Sequence, residues 1–413
     1  MRLLIVSQYF WPENFRINEL ARHLVKRGHE VTVLCGTPNY PSGRVFAGFG
    51  WWRRTRERWE GVDVVRVPQF LRGRATSLRL AANYLSYALT ASIFGPWRCR
   101  GKFDAILIFQ MSPATMGIPA VVMKHVKGAP ILHWVQDLWP ESLAAAGHVR
   151  SQWLLRPVDR MVRWLYHSAA LLLVQSRAFR AHVETRGVDP ARIRYFPNTA
   201  EDLYVPLERS HEHPALARVP AGFRVMFAGN VGIVQDLPTV IEAATLTRHQ
   251  TDIHWIIVGD GSMRTWVEQE VERRELGANV HLMGQYPVTD MPRMFAGADV
   301  MLVTLQRNPM IALTIPSKLQ SYLACGKPVL GALDGEGAQV VRDAGAGICG
   351  PGEDARALAE NVLALRESGA EALREMGQSG RRHFEANFAN DMLLDRLDGW
   401  LVEVSAGAMR EPA

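Results

Sequence analysis

Residues 1–34 read MRLLIVSQYFWPENFRINELARHLVKRGHEVTVL, and their order decides the fold. The apolar run Leu3 to Val6 predicts a buried strand over 2–7. Ile17, Leu20, Ala21, Leu24 and Val25 then recur at the i, i+3, i+4, i+7, i+8 spacing of a helix. Gly28 stops that helix, and Glu30 to Leu34 is the next strand. A strand, a helix and a second strand in quick succession make the repeating unit of a parallel sheet.

The same alternation continues outward. Strands are predicted at 63–67, 104–109, 130–135, 170–174 and 193–196. From Pro197 to Gly222 the chain is polar, carries Pro206, Pro214 and Pro220 and shows no period, which predicts a linker. A second series opens at Phe223, with strands near 223–228, 253–258, 279–282, 299–303 and 328–331. The fold class is therefore α/β, with two doubly wound, Rossmann-like parallel-sheet domains. The expected boundaries are 1–200 for the first domain, 201–222 for the linker and 223–388 for the second. The amphipathic stretch near Asp391 to Val404, within 389–413, is expected to pack back on the first. Ligands of such sheets bind beyond the carboxyl ends of the strands.

Composition narrows the function. With 413 residues, 48% hydrophobic and 21% charged, the chain can bury two cores and is neither disordered nor fibrous. A net charge of +6 and a pI near 9.3 suit anionic ligands or an anionic membrane surface, and no nucleic-acid partner is expected. Cys35, Cys99, Cys325 and Cys349 form no C-x-x-C pair, and no His cluster has zinc spacing. Reduced thiols, a cytoplasmic location and no metal are expected. The first apolar run is too short for a signal peptide.

Leu80 to Trp97 holds no charge. It predicts a helix, packed in the core, inserted in a membrane surface or spanning a membrane. Arg53, Arg54, Arg56, Arg58, Arg66, Arg72, Arg74 and Arg79 precede it; Arg98, Arg100 and Lys102 follow. Basic flanks around an apolar helix suit peripheral docking on anionic lipid, against the plainer reading of one solvated face.

Five loops could carry chemistry. FAGNVGIVQDLP, 227–238, joins a strand to a helix; Gly229 and Gly232 let backbone amides approach an anion, with Asn230 and Gln235 beside them. VGDGS, 258–262, offers Gly259 and Gly261, but Arg264 stands where a dinucleotide fingerprint needs its third glycine. Gly284, just past the strand expected at 279–282, is a further donor-site candidate. TIPSKLQSYLACGKPV, 314–329, places Pro316 and Ser317 at a helix start, with Ser317 read as the N-cap and Ser321 one turn on. Lys318 then lies in the first helical turn, where a cation opposes the helix dipole unless an anion sits nearby. HWVQDLWPES, 133–142, brings Gln136, Asp137, Trp139 and Glu141 to a strand's carboxyl end, as site residues or helix caps; His133 is expected to face the core. SQYFWPENFRINE, 7–19, offers Trp11, Glu13, Asn14 and Arg16 to an acceptor or to the first helix as caps. No G-x-S-x-G, P-loop or H-E-x-x-H occurs, against hydrolase, ATPase and metalloprotease readings.

Taken together, PENFRINELARHLVKRGHEVTVL, QDLWPES, FAGNVGIVQ and PSKLQSYLACGKPV make the whole chain resemble a family 4 glycosyltransferase of the GT-B fold. Within it, the chain is similar to the WbuB-like group of N-acetyl-L-fucosamine transferases of bacterial O-antigen and capsule assembly. The resemblance implies two domains facing a cleft, with a saccharide or lipid-linked acceptor on the first and a nucleotide-diphosphate sugar, UDP-linked, on the second. It implies transfer with retention, by front-face attack without metal or cofactor. Asp137 matches the family's aspartate and, with Lys318, is the candidate catalytic pair. The departures are specific. Asn230 and Gln235 stand where many relatives carry an Arg and a Lys. Leu313 and Ser321 replace two glutamates, so Glu336 or Gln339 takes over the ribose contact. Gln136 replaces a histidine. These losses keep two alternatives open, a non-catalytic nucleotide-sugar-binding protein and a nucleotide-sugar 2-epimerase.

Overall fold

The computed structural model describes residues 1–73, 76–145 and 152–408. It divides into two compact units, Met1–Pro197 with the chain from Leu394 onward, and Asn198–Leu393.

The first unit holds eight strands: β1 (Arg2–Val6), β2 (Glu30–Gly36), β3 (Arg56–Trp59), β4 (Val62–Val67), β5 (Ala105–Gln110), β6 (Ile131–Val135), β7 (Leu171–Val174) and β8 (Ile193–Tyr195). Their order is β3-β4-β2-β1-β5-β6-β7-β8. Every pairing is parallel except β3 with β4. The helices are α1 (Arg16–Lys26), α2 (Ser77–Arg98), α3 (Ile118–Lys127), α4 (Glu141–Ala145), α5 (Gln152–Ser168) and α6 (Arg177–Glu184). α2 packs on β2 and β4, α3 on β5 and β6, and α3 touches both α2 and α5, so these three form one layer. The winding reverses between β1 and β5, which opens a crevice at their carboxyl ends.

The second unit holds β9 (Phe223–Ala228), β10 (Ile253–Val258), β11 (Val280–Gly284), β12 (Val300–Thr304), β13 (Val329–Ala332) and β14 (Gly347–Gly350), in the order β11-β10-β9-β12-β13-β14 and all parallel. Its helices are α7 (Leu237–Leu246), α8 (Arg264–Arg273), α9 (Met291–Ala296), α10 (Pro309–Ala312), α11 (Ser317–Ala324), α12 (Glu336–Ala344), α13 (Ala355–Glu367) and α14 (Gly369–Asn387). Side-chain alternation on β9 sends Val225 and Phe227 into one core and Met226 and Ala228 into the other. That is why the strand reads as an unbroken apolar run. The winding reverses between β9 and β12. A last helix, α15 (Asn390–Ala408), joins the first unit from Leu394. There Asp395 and Asp398 meet Arg27, at 2.6 and 3.0 Å.

Each predicted strand forms, within two residues of its expected ends. Two were not anticipated. β3 is the edge strand RERW, whose exposed charges mask its pattern, and β14 is GICG, whose glycines do the same. The stretch 201–222, expected as a linker, belongs to the second unit. Leu216 lies in that unit's core, and Glu212 pairs with Arg224 at 2.9 Å. The uncharged stretch Leu80–Trp97 forms most of α2. Among the described residues no helix is long and apolar enough to cross a membrane. Of its basic flanks, Arg74 lies outside the described residues.

Candidate functional site

In the second unit the loops after β9 and β10 touch, and glycine alone permits it. A Cβ on Gly259, whose φ is +139°, would lie 1.8 Å from the Gly229 carbonyl oxygen. One on Gly261 would meet Val231 O at 2.5 Å and Asn230 Oδ1 at 2.6 Å. One on Gly232 would lie 2.6 Å from Asn230 Nδ2, so the Asn230 carboxamide fits because both neighbours lack a side chain. The loops are stitched by Val231 N donating to Asp260 O and Met263 N to Val231 O, both at 2.9 Å, while Gly259 N reaches Gly284 O at 2.8 Å. The far end of the β9 loop is held to β12. The Thr304 hydroxyl donates to Gln235 O at 2.6 Å, and Gln306 N to Val234 O at 3.0 Å.

These loops line a cavity of about 430 Å³ with Gly229, Asn230, Val258, Gly259, Asp260, Gln285, Tyr286, Val288 and Met291. Gly229, Asn230 and Gly259 had been singled out in the sequence as donor-site candidates. Sequence reasoning missed Asp260, which lay between two glycines it had singled out, and Gln285-Tyr286, which follow β11 with no motif.

α11 starts beside this loop. Pro316, not Ser317, is its N-cap residue, and no side chain caps it. Pro316 takes the extended N-cap conformation, with its φ fixed by the ring, so the helix begins one residue earlier than expected and Ser317 becomes its first residue. The first amides of α11 therefore have no side-chain acceptor. Lys318 follows in the first turn. Its ammonium donates to Gln235 Oε1 and lies 3.8 Å above the Phe227 ring. Its Nζ is 3.6 Å from the place a Gly229 Cβ would take. Burial pulls its pKa down to about 7. No carboxylate pairs with it among the described residues. Tyr322 bolts the helix to β9, donating to Ala228 O at 3.0 Å and accepting from Ala228 N at 3.1 Å. Ser321 is buried behind Lys318's turn. Glu336 is the first residue of α12, and a Cβ on the neighbouring Gly337 would lie 2.9 Å from Pro316 Cδ, so the two helix starts sit together. Gln339 points elsewhere, donating to Asp343 and accepting from Arg342.

In the first unit Glu13 and Glu141 are held by partners within the protein. Glu13 is 2% exposed. Its carboxylate accepts from Asn39 N and Tyr40 N, both at 2.7 Å, and from Phe10 N at 3.3 Å. Burial pushes its pKa up to about 7, against the pull of those amides. Glu141 ties α4 to α6 through His182 at 3.1 Å, and to Arg186 just beyond the end of α6. Burial alone would raise its pKa, yet the His182 hydrogen bond and the Arg186 charge hold it near 2. Trp11 stacks on Trp59 at 5.0 Å, its carbonyl accepting from Arg66 at 2.6 Å. Asn14 is exposed, and Arg16 begins α1.

Asp137 sits at the end of β6. Ser112 donates to its Oδ2 at 2.8 Å, and Trp139 Nε1 donates to that hydroxyl at 2.9 Å. Burial raises its pKa. Gln136 is buried next to it, its carbonyl accepting from Gln175 at 3.0 Å. His133 faces the core as expected, 2.7 Å from Gln110 Oε1, and burial lowers its pKa to about 3, so it stays neutral. Burial raises the pKa of Tyr84 in α2, with the Arg72 charge pulling it down and Asp137 pushing it up. Arg72 lies over the rings of Tyr9 and Tyr40, 5.9 and 5.0 Å away, and donates to the Tyr9 hydroxyl at 3.0 Å. Sequence reasoning missed Tyr84, Tyr40 and Ser112, whose types carry no motif.

Residues 14–199 match the model of a "Glycosyl transferase 4-like domain", and 209–383 match "Glycosyl transferases group 1". WcaI of Escherichia coli K12, a glycosyl transferase assigned to colanic acid biosynthesis, is 25% identical over 339 residues, covering 79% of this chain and 82% of WcaI. Among solved structures, Anabaena HepE in complex with UDP superposes with a TM-score of 0.71 at 15% identity, over 98% of this chain and all of HepE. Sucrose-phosphate synthase of Thermosynechococcus elongatus gives 0.69 at 16%, over 98% and 99%. WaaG, a glycosyltransferase involved in lipopolysaccharide biosynthesis, gives 0.61 at 15%, over 93% and 95%. These likenesses show the fold, two parallel-sheet α/β domains of the GT-B kind.

Proposed function

Because the chain belongs to the glycosyltransferases that join a 4-like domain to a group 1 domain, we propose that it moves a sugar from UDP to a saccharide acceptor carried on lipid, with retention of configuration. The observation that carries this is Lys318. An ammonium that no acid pairs among the described residues stands in the first turn of a helix without a side-chain cap, against a glycine loop whose backbone a phosphate can approach. An anion there would gain the lysine's charge and the helix amides together.

The nucleoside occupies the adjoining cavity, between the β10 loop and Gln285-Tyr286, and Glu336 holds the ribose from the start of α12. Lys318, Ser317 N and the Gly229 loop stabilise the diphosphate as it leaves, which is where charge develops in the transition state. Gln235 suits this arrangement, since a cation at that position would repel the Lys318 ammonium, whereas the Gln235 amide oxygen accepts its hydrogen bond. Asp137, its carboxylate fixed by Ser112, orients the acceptor at the β1/β5 crevice of the first unit. The reaction needs no metal, so chelation leaves its rate unchanged. The finer assignment to N-acetyl-L-fucosamine and to O-antigen or capsule assembly rests on the resemblance to the WbuB-like group. UDP as the carrier is supported by HepE, which holds UDP.

The test is a donor screen. UDP, GDP and a panel of their sugars are titrated by calorimetry, then incubated with and without membrane extract while free nucleoside diphosphate is followed. UDP binding, with release from one UDP-sugar only when extract is present, is expected. Release without acceptor, accompanied by epimerised sugar, would replace the proposal with a 2-epimerase. Tight binding with no release from any donor would make the protein a nucleotide-sugar binder.

A further inference from the structure

Neighbouring strands β4, β2 and β1 of the first unit end in loops that meet around one arginine. Arg72 follows β4, Asn39 and Tyr40 follow β2, and Tyr9 follows β1. The loops are tied together. Arg72 N donates to Asn39 Oδ1 at 3.1 Å, and the buried Asn39 donates through Nδ2 to Thr37 O at 2.9 Å. Phe70 N donates to Ser86 Oγ of α2 at 2.9 Å. Gly73 N reaches Gly43 O at 3.2 Å, and a Cβ on Gly43, whose φ is +71°, would lie 2.1 Å from Gly73 O. Only glycine at 43 lets the two loops close in this way. The backbone on either side of Arg72 is thus fixed by hydrogen bonds.

The side chain has aromatic walls and no acid. Its guanidinium lies over the Tyr40 and Tyr9 rings and donates to the Tyr9 hydroxyl. The rings of Tyr9, Phe15 and Tyr40 pack on one another, with centroids 5.1 to 5.8 Å apart. Other arginines of this region are engaged, Arg56 by Asp63 at 3.0 Å and Arg66 by Glu57 at 2.6 Å. Among the described residues no carboxylate pairs with Arg72, nor with Arg79, whose Nη1 lies 2.2 Å from the place a Gly73 Cβ would take. A guanidinium is a planar fork of N–H donors, and the Tyr9 contact leaves most of that fork for a ligand. The charges of Arg72 and Asp137 both act on Tyr84 of α2, so the arginine borders the crevice that holds Asp137. Tyr40 is exposed and Tyr84 half-buried, which leaves ring surface for a sugar to cover.

We propose that the acceptor is an anionic saccharide, and that Arg72 grips its negative group, a phosphate or a carboxylate, as a bidentate oxyanion while Tyr40 and Tyr84 cover the adjoining sugar ring. Packing against the rings alone would be served by any long cationic side chain. A planar fork is required where the partner is an oxyanion. The proposal rests on the transfer reading and names the class of acceptor within it. It is tested by binding, so that the two can fail separately.

Glucosyl phosphate, glucuronate and neutral glucose are titrated by saturation-transfer NMR onto the full chain, with UDP at saturation so that the Lys318 site is filled. The wild type is expected to bind one of the anionic probes at least about 10-fold more tightly than glucose. Arg72→Gln should bring that probe down to the affinity of glucose, with circular dichroism and UDP affinity unchanged. Arg72→Lys, which keeps the charge and loses the fork, should recover only part of the preference. Preference for glucosyl phosphate assigns the group to a phosphate in the acceptor's link to its carrier, and preference for glucuronate assigns it to an acidic sugar. Anionic probes that bind the wild type no more tightly than glucose overturn the proposal, as does an Arg72→Gln variant that keeps the preference. Failure of UDP itself to bind would sink the transfer reading instead. The same titrations on Lys318→Ala would then judge Arg72 with the Lys318 charge removed.

Discussion

The loop regions of the two units handle charge in opposite ways. In the first, the acids that sequence reading offered to an acceptor are bound by the protein itself, Glu13 by three backbone amides and Glu141 by Arg186 and His182. In the second, among the described residues, Lys318 has a neutral amide oxygen and a ring for company and no acid. A buried charge that the fold has paired holds loops in place. A charge left with neutral partners beside uncapped helix amides is available to a ligand. The comparison predicts that substitutions in the first group damage the fold and substitutions in the second damage binding.

The largest effect is expected at Arg186, which is 4% exposed and joins Glu141, Asp159 and the Trp139 carbonyl. Arg186→Ala leaves Glu141 without its cation and should cost about 3–5 kcal/mol of stability. Thermal unfolding would show it, with calorimetry showing UDP affinity of the surviving folded protein unchanged. A loss of UDP binding without a loss of stability would erase the distinction between the units. Lys318→Ala comes next and should behave in reverse. It should lose about 2–4 kcal/mol of transition-state stabilisation, read as kcat/KM on the UDP-sugar. Its melting temperature should hold or rise, since a desolvated ammonium is removed. Undiminished turnover would refute the assignment of Lys318 to the diphosphate.

How much of this could be read beforehand follows from the kind of signal each part carries. Strands buried on both faces, such as β9 and β10, read as apolar runs and were placed to the residue. β3 was missed because three of its four residues are charged and it pairs on one side only. Glycine loops were legible because Gly229 and Gly259 must approach within a distance that any side chain forbids. The cavity's far wall, Gln285 and Tyr286, was not, because an ordinary loop after an ordinary strand has no distinctive composition. Glu13 and Glu141 were visible as charged residues in the right loops. Their fate depends on which amide or arginine the fold brings to them, and Arg186 is 45 residues from Glu141 in the chain.

The smallest and most discriminating effects are in pH, where the two units should titrate through different observables. The folded-state pKa of Glu13, about 7, lies above its ordinary value of 4.5. Folding therefore binds its proton more tightly, and the associated stability is present below pH 4.5 and lost as pH rises to about 7. Urea midpoints across that window should fall by the equivalent of roughly 1–3 kcal/mol, and Glu13→Gln should flatten the slope. Lys318 titrates near 7 in the free protein, and phosphate favours its charged form. Affinity for a UDP-sugar, whose diphosphate gains no proton in this range, should be highest below pH 7. Above 7 it should decline by up to about 10-fold per unit until the pKa of the complex is reached. Lys318→Ala should remove that decline and leave the Glu13 stability slope intact. If instead the stability slope followed Lys318 and the affinity slope followed Glu13, the roles assigned to paired and unpaired charge would have to be exchanged.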